Sequence, residues 1–467
     1  MTSTKLSVFN PSTEEQIALL ETDDVAAAEA KIERAWSRFS DRGSLLQVHE
    51  RIEILERLIR IMERDEASFA QLIAAEGGKP LQDARVEAAR AIAGVRIAIN
   101  VISEDRGSVI PLGHQASSAG RLAFTQKFPR GVVLAFSAFN HPLNLIVHQV
   151  VPAFAAGCPC VVKPAADTPL SCIKLVEAMY EAGVPEDYLS YSIAADLDVA
   201  GAMVRSDKIA FFSFIGSAKV GWMLRSQLQP GVRCALEHGG VAPCIVAGSA
   251  RLELAVPSIT KGGYYHAGQV CVSTQRVYVN ESLHDHLVDA LSESVSALTV
   301  GDASDSATEV GPLIRPAEVD RVEDWMDEAV SMGAEVAVGG SRLKGNFFQP
   351  TLVLNPSRES RLGSQEVFGP VVCVYRYQDL EEALTQANLH PHAFQAAVYT
   401  QNIDTVHAAY EAFDSSAVMV NDHTAFRDDA MPFAGLSASG LGVGGIPYAT
   451  GEMQFEKMLV MKGRGLN

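Results

Sequence analysis

A chain that sets short apolar runs against longer stretches of helical periodicity has few architectures open to it. From Gly131 the sequence does this repeatedly: "GVVLAF" precedes an apolar stretch long enough for a helix, Leu143–Ala156, and "CPCVVKP" precedes a second helical pattern from Thr168 to Glu181. The alternation continues through "SYSIA", "VAGAMVRS" and "KIAFFSFIG", whose last glycine opens a further helix. Strand, helix, strand, helix predicts parallel α/β structure. A second set of apolar runs, "CIVAG", "QRVYV", "VCVYRY" and "AAVYT", is interleaved with acidic helices such as "RVEDWMDEAVSMG", so a second α/β lobe is expected to run to about residue 447.

Upstream, residues 24–105 read as a helical layer: Ile52, Leu55, Leu58, Ile59 and Met62 follow i, i+3, i+4 spacing, and "GGKP" stops the run. Between 110 and 129, "IPLGHQASSAGRLAFTQKFP" is short and turn-rich, as in an extended arm or hairpin. The closing "QFEKMLVMKG" alternates like an edge strand that docks on another subunit. A length of 467 residues accords with about three domains or lobes.

The balance of 38 basic against 56 acidic residues, a formal charge of −18, repels phosphate backbones and anionic membranes, so neither nucleic acid nor membrane is expected as a partner. No uncharged apolar run reaches the roughly 18 residues of a membrane span. The opening "MTSTKLSVFNPSTEE" lacks the order of a secretory signal, and the expected location is the cytoplasm. Seven cysteines, at 158, 160, 172, 234, 244, 271 and 373, form no CxxC pair and no zinc spacing, so free thiols and no metal are expected.

Five segments carry candidate chemistry, and each has a plainer reading. "FIGSAKVG" sets Gly216 and Gly221 at a strand-to-helix junction with Ser217 ready to cap; helix amides there hold a pyrophosphate, or the segment is an ordinary turn. In "VVKPAADTPL", Lys163 ends an apolar strand, where an ammonium donates to ribose hydroxyls or merely snorkels outward. Cys271, after "HAGQV", is a thiol in a loop small enough for close ligand approach, or a buried hydrophobe. Glu237, 34 residues earlier in "CALEHGG", is a carboxylate at a strand end, or a surface turn residue. Asn140, in "LAFSAFNHPLN", offers an amide suited to an oxyanion, or caps the next helix.

The ordered set FNHP, KPAADTP, FIGSAKVG, LEHGG, GQVC, EVFGPV and PFAGLSASG, spread over nearly the whole chain, resembles the NAD(P)-dependent aldehyde dehydrogenase superfamily. The resemblance implies two Rossmann-type α/β lobes plus a small β oligomerisation arm. Residues 1–109 and 130–238 would bind cofactor, 239–447 would form the catalytic domain, and 110–129 with 448–467 the oligomerisation hairpin and C-terminal strand of a homodimer or homotetramer. It further implies Cys271 as nucleophile, Glu237 as general base, and Asn140 with the Cys271 amide as the oxyanion hole. Lys163 would bind ribose, Gly216, Ser217 and Gly221 the phosphates, and Glu366, Phe368 and Phe139 the nicotinamide end. Cys271 would then form a thiohemiacetal with the aldehyde, lose hydride to the cofactor, and carry a thioester that Glu237-activated water hydrolyses to the acid.

Four positions depart from the usual pattern: His238 for leucine, Ala434 for glycine, and Ser437 and Gly444 where many relatives carry lysine and glutamate. His238 either tunes the neighbouring base or points away. With Gly444 the expectation is a single base, Glu237. Ala166 stands where NAD-specific relatives place a glutamate that bonds both ribose hydroxyls, which favours NADP slightly over NAD and allows dual use; Asp167 could partly substitute, and Lys219 could favour the phosphate.

The substrate expectation is a small functionalised aldehyde, anionic if Arg427 of "NDHTAFRDDAMPF" is its anchor, with His148, Tyr265 and His266 as further pocket candidates. Alternatively Arg427 pairs with Asp428 and Asp429 as a structural turn, and an aromatic or apolar aldehyde fits the aromatic residues. The competing activities are a CoA-acylating dehydrogenase, against which Glu237 argues; a cysteine hydrolase using His266; and a non-catalytic binding protein.

Overall fold

The computed structural model describes residues 5–194 and 196–463. Its first large sheet has the strand order Gly440–Leu441, Arg233–Glu237, Ile209–Ile215, Val132–Phe136, Cys160–Lys163, Leu189–Tyr191. All neighbours are parallel except the two-residue Gly440–Leu441, which pairs antiparallel with Glu237 and Leu236. Every residue of Val132–Phe136 is buried, as a strand covered on both faces must be. The chain winds outward from it to Cys160–Lys163 on one side and to Ile209–Ile215 on the other, so a crevice opens beside its carboxyl end, where open parallel sheets bind ligands.

The second sheet has seven strands, in the order Glu335–Val338, Thr351–Leu354, Val371–Tyr377, Arg276–Asn280, Pro243–Val246, Gln395–Tyr399, Ala417–Val420. Only the first of these is antiparallel to its neighbour. The helical layer consists of Val25–Ser40, Val48–Arg64, Glu66–Gly77 and Leu81–Ser103. The third of these helices ends on Gly78 in the left-handed conformation, φ 65°, the stop that "GGKP" announces. Two details were not foreseen. Lys5–Phe9 and Gln16–Glu21 form an N-terminal hairpin, and Gly440–Leu441 crosses back from the second lobe to the edge of the first sheet.

Gln454–Lys462 pairs antiparallel with Arg121–Pro129 along its whole length, from Gln454 opposite Pro129 to Lys462 opposite Arg121. Val109–Ile110 completes this three-stranded arm. Met458, Leu459 and Val460 are 55%, 51% and 47% exposed, so consecutive residues on both faces of the strand lack cover from this chain. Among the described residues, no helix is long and apolar enough to cross a membrane, and the seven cysteines are all free.

One buried ion pair ties the helical layer to the helix that follows Asn140. Lys79 and Glu87 are fully buried and bonded to each other. The other Glu87 oxygen accepts the backbone N–H groups of Leu143 and Asn144, each at 3.0 Å, at the start of the helix Asn144–Ala156. A carboxylate at a helix N-terminus complements its dipole and satisfies donors that the helix itself cannot. The segment carrying Asn140 is thereby tied to the helical layer.

Candidate functional site

A cavity of about 530 Å³ lies between the two lobes. Phe139 and Asn140 reach it from the end of Val132–Phe136, Gly216 and Ser217 from the end of Ile209–Ile215, and Glu237 from the end of Arg233–Glu237. Cys271 arrives from the facing lobe on the loop before Arg276–Asn280, and Glu366 and Phe368 from the loop before Val371–Tyr377. Arg427, His148 and Tyr265 line the same space.

The Cys271 loop is shaped by unusual backbone. His266, Ala267 and Gly268 all have positive φ, at 50°, 53° and 68°. For non-glycine residues such conformations cost about 1–3 kcal/mol each and persist where surrounding structure enforces them. Here the enforcing residue is Gln269, fully buried, whose Oε1 accepts from Ile314 N–H at 3.0 Å and whose Nε2 donates to the carbonyls of His266 and Pro312 at 3.3 Å. The Gln269 carbonyl in turn accepts from Asn140 Nδ2 at 2.9 Å. One amide proton of Asn140 is used to orient the side chain, leaving the second as a donor.

The electrostatics are those of a dry site. Burial, with Glu366 and Glu237 close by, pushes the Cys271 thiol up, while Arg427 opposes them; the resting group is a thiol. Burial raises Glu237 to about 7, again against Arg427. Glu366 is raised to about 7 by burial, and its carboxylate accepts from Gly240 N–H at 3.0 Å. A Cβ on Gly444 would come within 2.2 Å of Glu237 Oε1, so the room a side chain would need there is filled by the Glu237 carboxylate itself.

The crevice fits a dinucleotide. Phe139 and Phe368 meet edge to face with centroids 5.8 Å apart, and Phe368 is held at φ 46°. Lys163, at its strand end, donates to the Pro164 carbonyl at 3.3 Å and is lowered by burial to about 8. Lys163 and Gly221 are not among the residues that line this cavity. Asp167 is bonded to Arg315 of the facing lobe at 2.9 Å, so its charge is already answered; Lys219 is exposed. Among the described residues, no group of three or more His, Cys, Asp or Glu side chains could hold a metal ion.

Three expectations about the pocket need correction. His266 is fully buried behind the wall and does not line the cavity, because the left-handed turn sends its ring away from the side that Tyr265 faces. Arg427 does not pair with Asp428 or Asp429: Asp429 instead accepts from Arg90 at 2.6 Å and is 2.7 Å from His148 Nε2. Arg427 rests 4.5 Å over the Phe433 ring and donates to the Met431 carbonyl at 2.9 Å, while its buried Nη2 has no hydrogen-bond partner among the described residues. His238 does not point outward; it lines the crevice.

Sequence reasoning also missed Arg90 and His141, both in the cavity wall. His141 Nε2 lies 3.2 Å from the Tyr265 hydroxyl, and its signal was present as the neighbour of Asn140 in FNHP. Arg90 carried no local signal at all.

Comparison with known proteins agrees with this geometry. Residues 1–459 match the model of the aldehyde dehydrogenase family. The chain is 34% identical to a 3-sulfolactaldehyde dehydrogenase of Priestia aryabhattai, over 98% of this chain and 95% of that one. It is 33% identical to a lactaldehyde dehydrogenase of Methanocaldococcus jannaschii, over 98% and 97%. Among solved structures, aldehyde dehydrogenase 21 of Physcomitrella patens with the reaction product succinate superposes with a TM-score of 0.96 at 32% identity, covering 99% of this chain and 96% of that one. The glyceraldehyde-3-phosphate dehydrogenase of Methanocaldococcus jannaschii complexed with NADP gives 0.94 at 32% identity, covering 99% and 100%. The chain belongs to the aldehyde dehydrogenase family, oxidoreductases that act on aldehydes with NAD(P).

Proposed function

We propose that this protein oxidises a small aldehyde bearing an anionic group to the corresponding carboxylic acid, with Cys271 as the acyl-carrying nucleophile. The observation that carries the reading is the convergence of Cys271, Asn140 and Glu237 on one cavity whose wall also includes the guanidinium-bearing Arg427. Arg427 bonds a backbone carbonyl and no carboxylate among the described residues, so its charge is available to a carboxylate, sulfonate or phosphate on the substrate. The names of the relatives, dehydrogenases for sulfolactaldehyde, lactaldehyde and several semialdehydes, support the size class.

In this mechanism Glu237 takes the thiol proton as Cys271 sulfur attacks the aldehyde carbon. The second amide proton of Asn140 and the Cys271 N–H meet the developing oxyanion; loss of one such donor typically lowers rate by about 10²–10³. A nicotinamide cofactor would supply the hydride acceptor, with Lys163 at its ribose, the Gly216–Ser217 turn at its phosphates, and Glu366, Phe139 and Phe368 at the nicotinamide end. Once Glu237 has passed the thiol proton to solvent, its carboxylate deprotonates the water that attacks the thioester. Ala166 leaves the ribose end without a repelling carboxylate, and the bond from Arg315 answers the charge of Asp167, so NADP is accepted, with NAD use alongside.

The test is a panel of anionic, neutral aliphatic and aromatic aldehydes followed at 340 nm with each cofactor. Arg427→Ala should lower kcat/KM for anionic aldehydes by about 10- to 100-fold and leave neutral ones far less affected. Equal losses across the panel would remove Arg427 as the anchor.

The uncovered strand Gln454–Lys462 is read as the pairing edge of a homo-oligomer, since an exposed apolar edge strand is an aggregation hazard unless another chain covers it. Sedimentation velocity should show a dimer or tetramer for the native chain and a smaller species when Met458 and Val460 are both replaced by glutamate. An unchanged sedimentation coefficient would rule this edge out.

A further inference from the structure

Gly216 is held from both sides by consecutive residues of one strand end. Its N–H donates to the Glu237 carbonyl at 3.0 Å, and its own carbonyl lies 3.1 Å from His238 Nδ1. A carbonyl only accepts, so Nδ1 carries the proton. The ring is 2% exposed and seated between Phe214 and Trp222, with centroids 5.7 and 5.4 Å away, and Nε2 has no partner among the described residues. A Cβ on Gly221 would fall 1.9 Å from the ring's Cε1. Gly221 is therefore glycine because the imidazole lies against its Cα. The helix Ala218–Arg225, preceded by Gly216 and Ser217 of the cavity lining, packs on this ring through Gly221 and Trp222.

We propose that His238 is the positioning residue of the cofactor's phosphate turn. Its Nδ1–H bond to the Gly216 carbonyl and its packing under Gly221 set where the Gly216–Ser217 amides stand, and tie that turn to the strand end bearing Glu237. The proposal rests on the reading of the crevice as a dinucleotide site. Burial lowers the His238 pKa, so the ring is neutral in the working range, which matches a single donated bond at Nδ1. A leucine here would fill similar space but have nothing to donate, so in this chain the hold on the turn depends on a bond as well as on bulk.

The test compares His238→Leu, which keeps bulk, His238→Asn, whose side-chain nitrogen falls where Nδ1 stood, and His238→Gln, whose nitrogen falls nearer Nε2. NADP⁺ and NAD⁺ affinity is measured by isothermal titration calorimetry without aldehyde, and amide hydrogen exchange at residues 216–221 in the cofactor-free enzyme. The expected result is a dissociation constant raised about 3- to 10-fold in the leucine and glutamine variants, with faster exchange at the turn, and an asparagine variant nearer the wild type. A leucine variant within twofold of wild type, or an asparagine variant nearer to leucine, overturns the proposal while leaving the dinucleotide reading in place. Failure of the wild type to bind either cofactor overturns both.

Discussion

Replacing Cys271 by alanine is expected to end aldehyde oxidation, lowering kcat by at least about 10⁴-fold, as the loss of a covalent nucleophile does in enzymes that depend on one. The remaining groups cannot substitute. Asn140 and the backbone donors stabilise an oxyanion only if something has added to the carbonyl, and the other six cysteines lie outside the lining of this cavity. The measurement is steady-state reduction of cofactor at 340 nm, with mass spectrometry of quenched wild-type enzyme to catch the acyl group on the peptide containing Cys271. Residual oxidation within 10²-fold of wild type, or an acyl group on another residue, would falsify the assignment.

Glu237→Gln has a different signature. If Glu237 takes the thiol proton and later activates water, the variant should complete its first hydride transfer more slowly and then stall as a thioester. Steady-state turnover should fall by about 10²–10⁴-fold, with a burst of up to one reduced cofactor per site. The wild-type pH profile follows from the same group. Burial raises Glu237 to about 7, and the carboxylate is the active form, so kcat should climb roughly tenfold per pH unit below that value and level off above it. The glutamine variant should lose that limb. A wild-type profile flat from pH 5 to 8, or a variant that keeps the same limb, would assign the proton to another group.

How much of this was readable in the chain depends on how far apart the cooperating residues lie. Asn140, Lys163, Gly216 and Glu237 each sit within a few residues of the carboxyl end of an apolar strand, and strand ends are visible as the point where an uncharged run breaks into Gly, Pro or a polar side chain. Cys271 was visible for a similar local reason, the small residues before it. The directions of side chains were not. His238 and His266 are each one residue from a recognisable motif, yet one packs beneath the Gly216 turn at the edge of the crevice and the other lies buried outside the cavity lining. Those outcomes are set by the packing of Trp222 and Phe214 on the first and by the left-handed turn on the second. The Arg90–Asp429 pair joins residues 339 apart, and no local pattern announces it. The strand Gly440–Leu441 escaped because two residues have no period. The alternation in "QFEKMLVMKG" marked a strand correctly but not its surroundings, since both of its faces are exposed in the single chain.

The sealed bond between Lys79 and Glu87 limits which substitutions this chain tolerates far from its cavity. Both side chains are fully buried and bonded to each other, so removing either leaves the other as a buried ion without its bonded partner. Because Glu87 also accepts from the first amides of the helix that follows Asn140, a variant that lost one half would also loosen the segment that carries Asn140. Removing one partner is therefore expected to cost more than replacing both by apolar residues of similar volume, though neither residue lines the cavity.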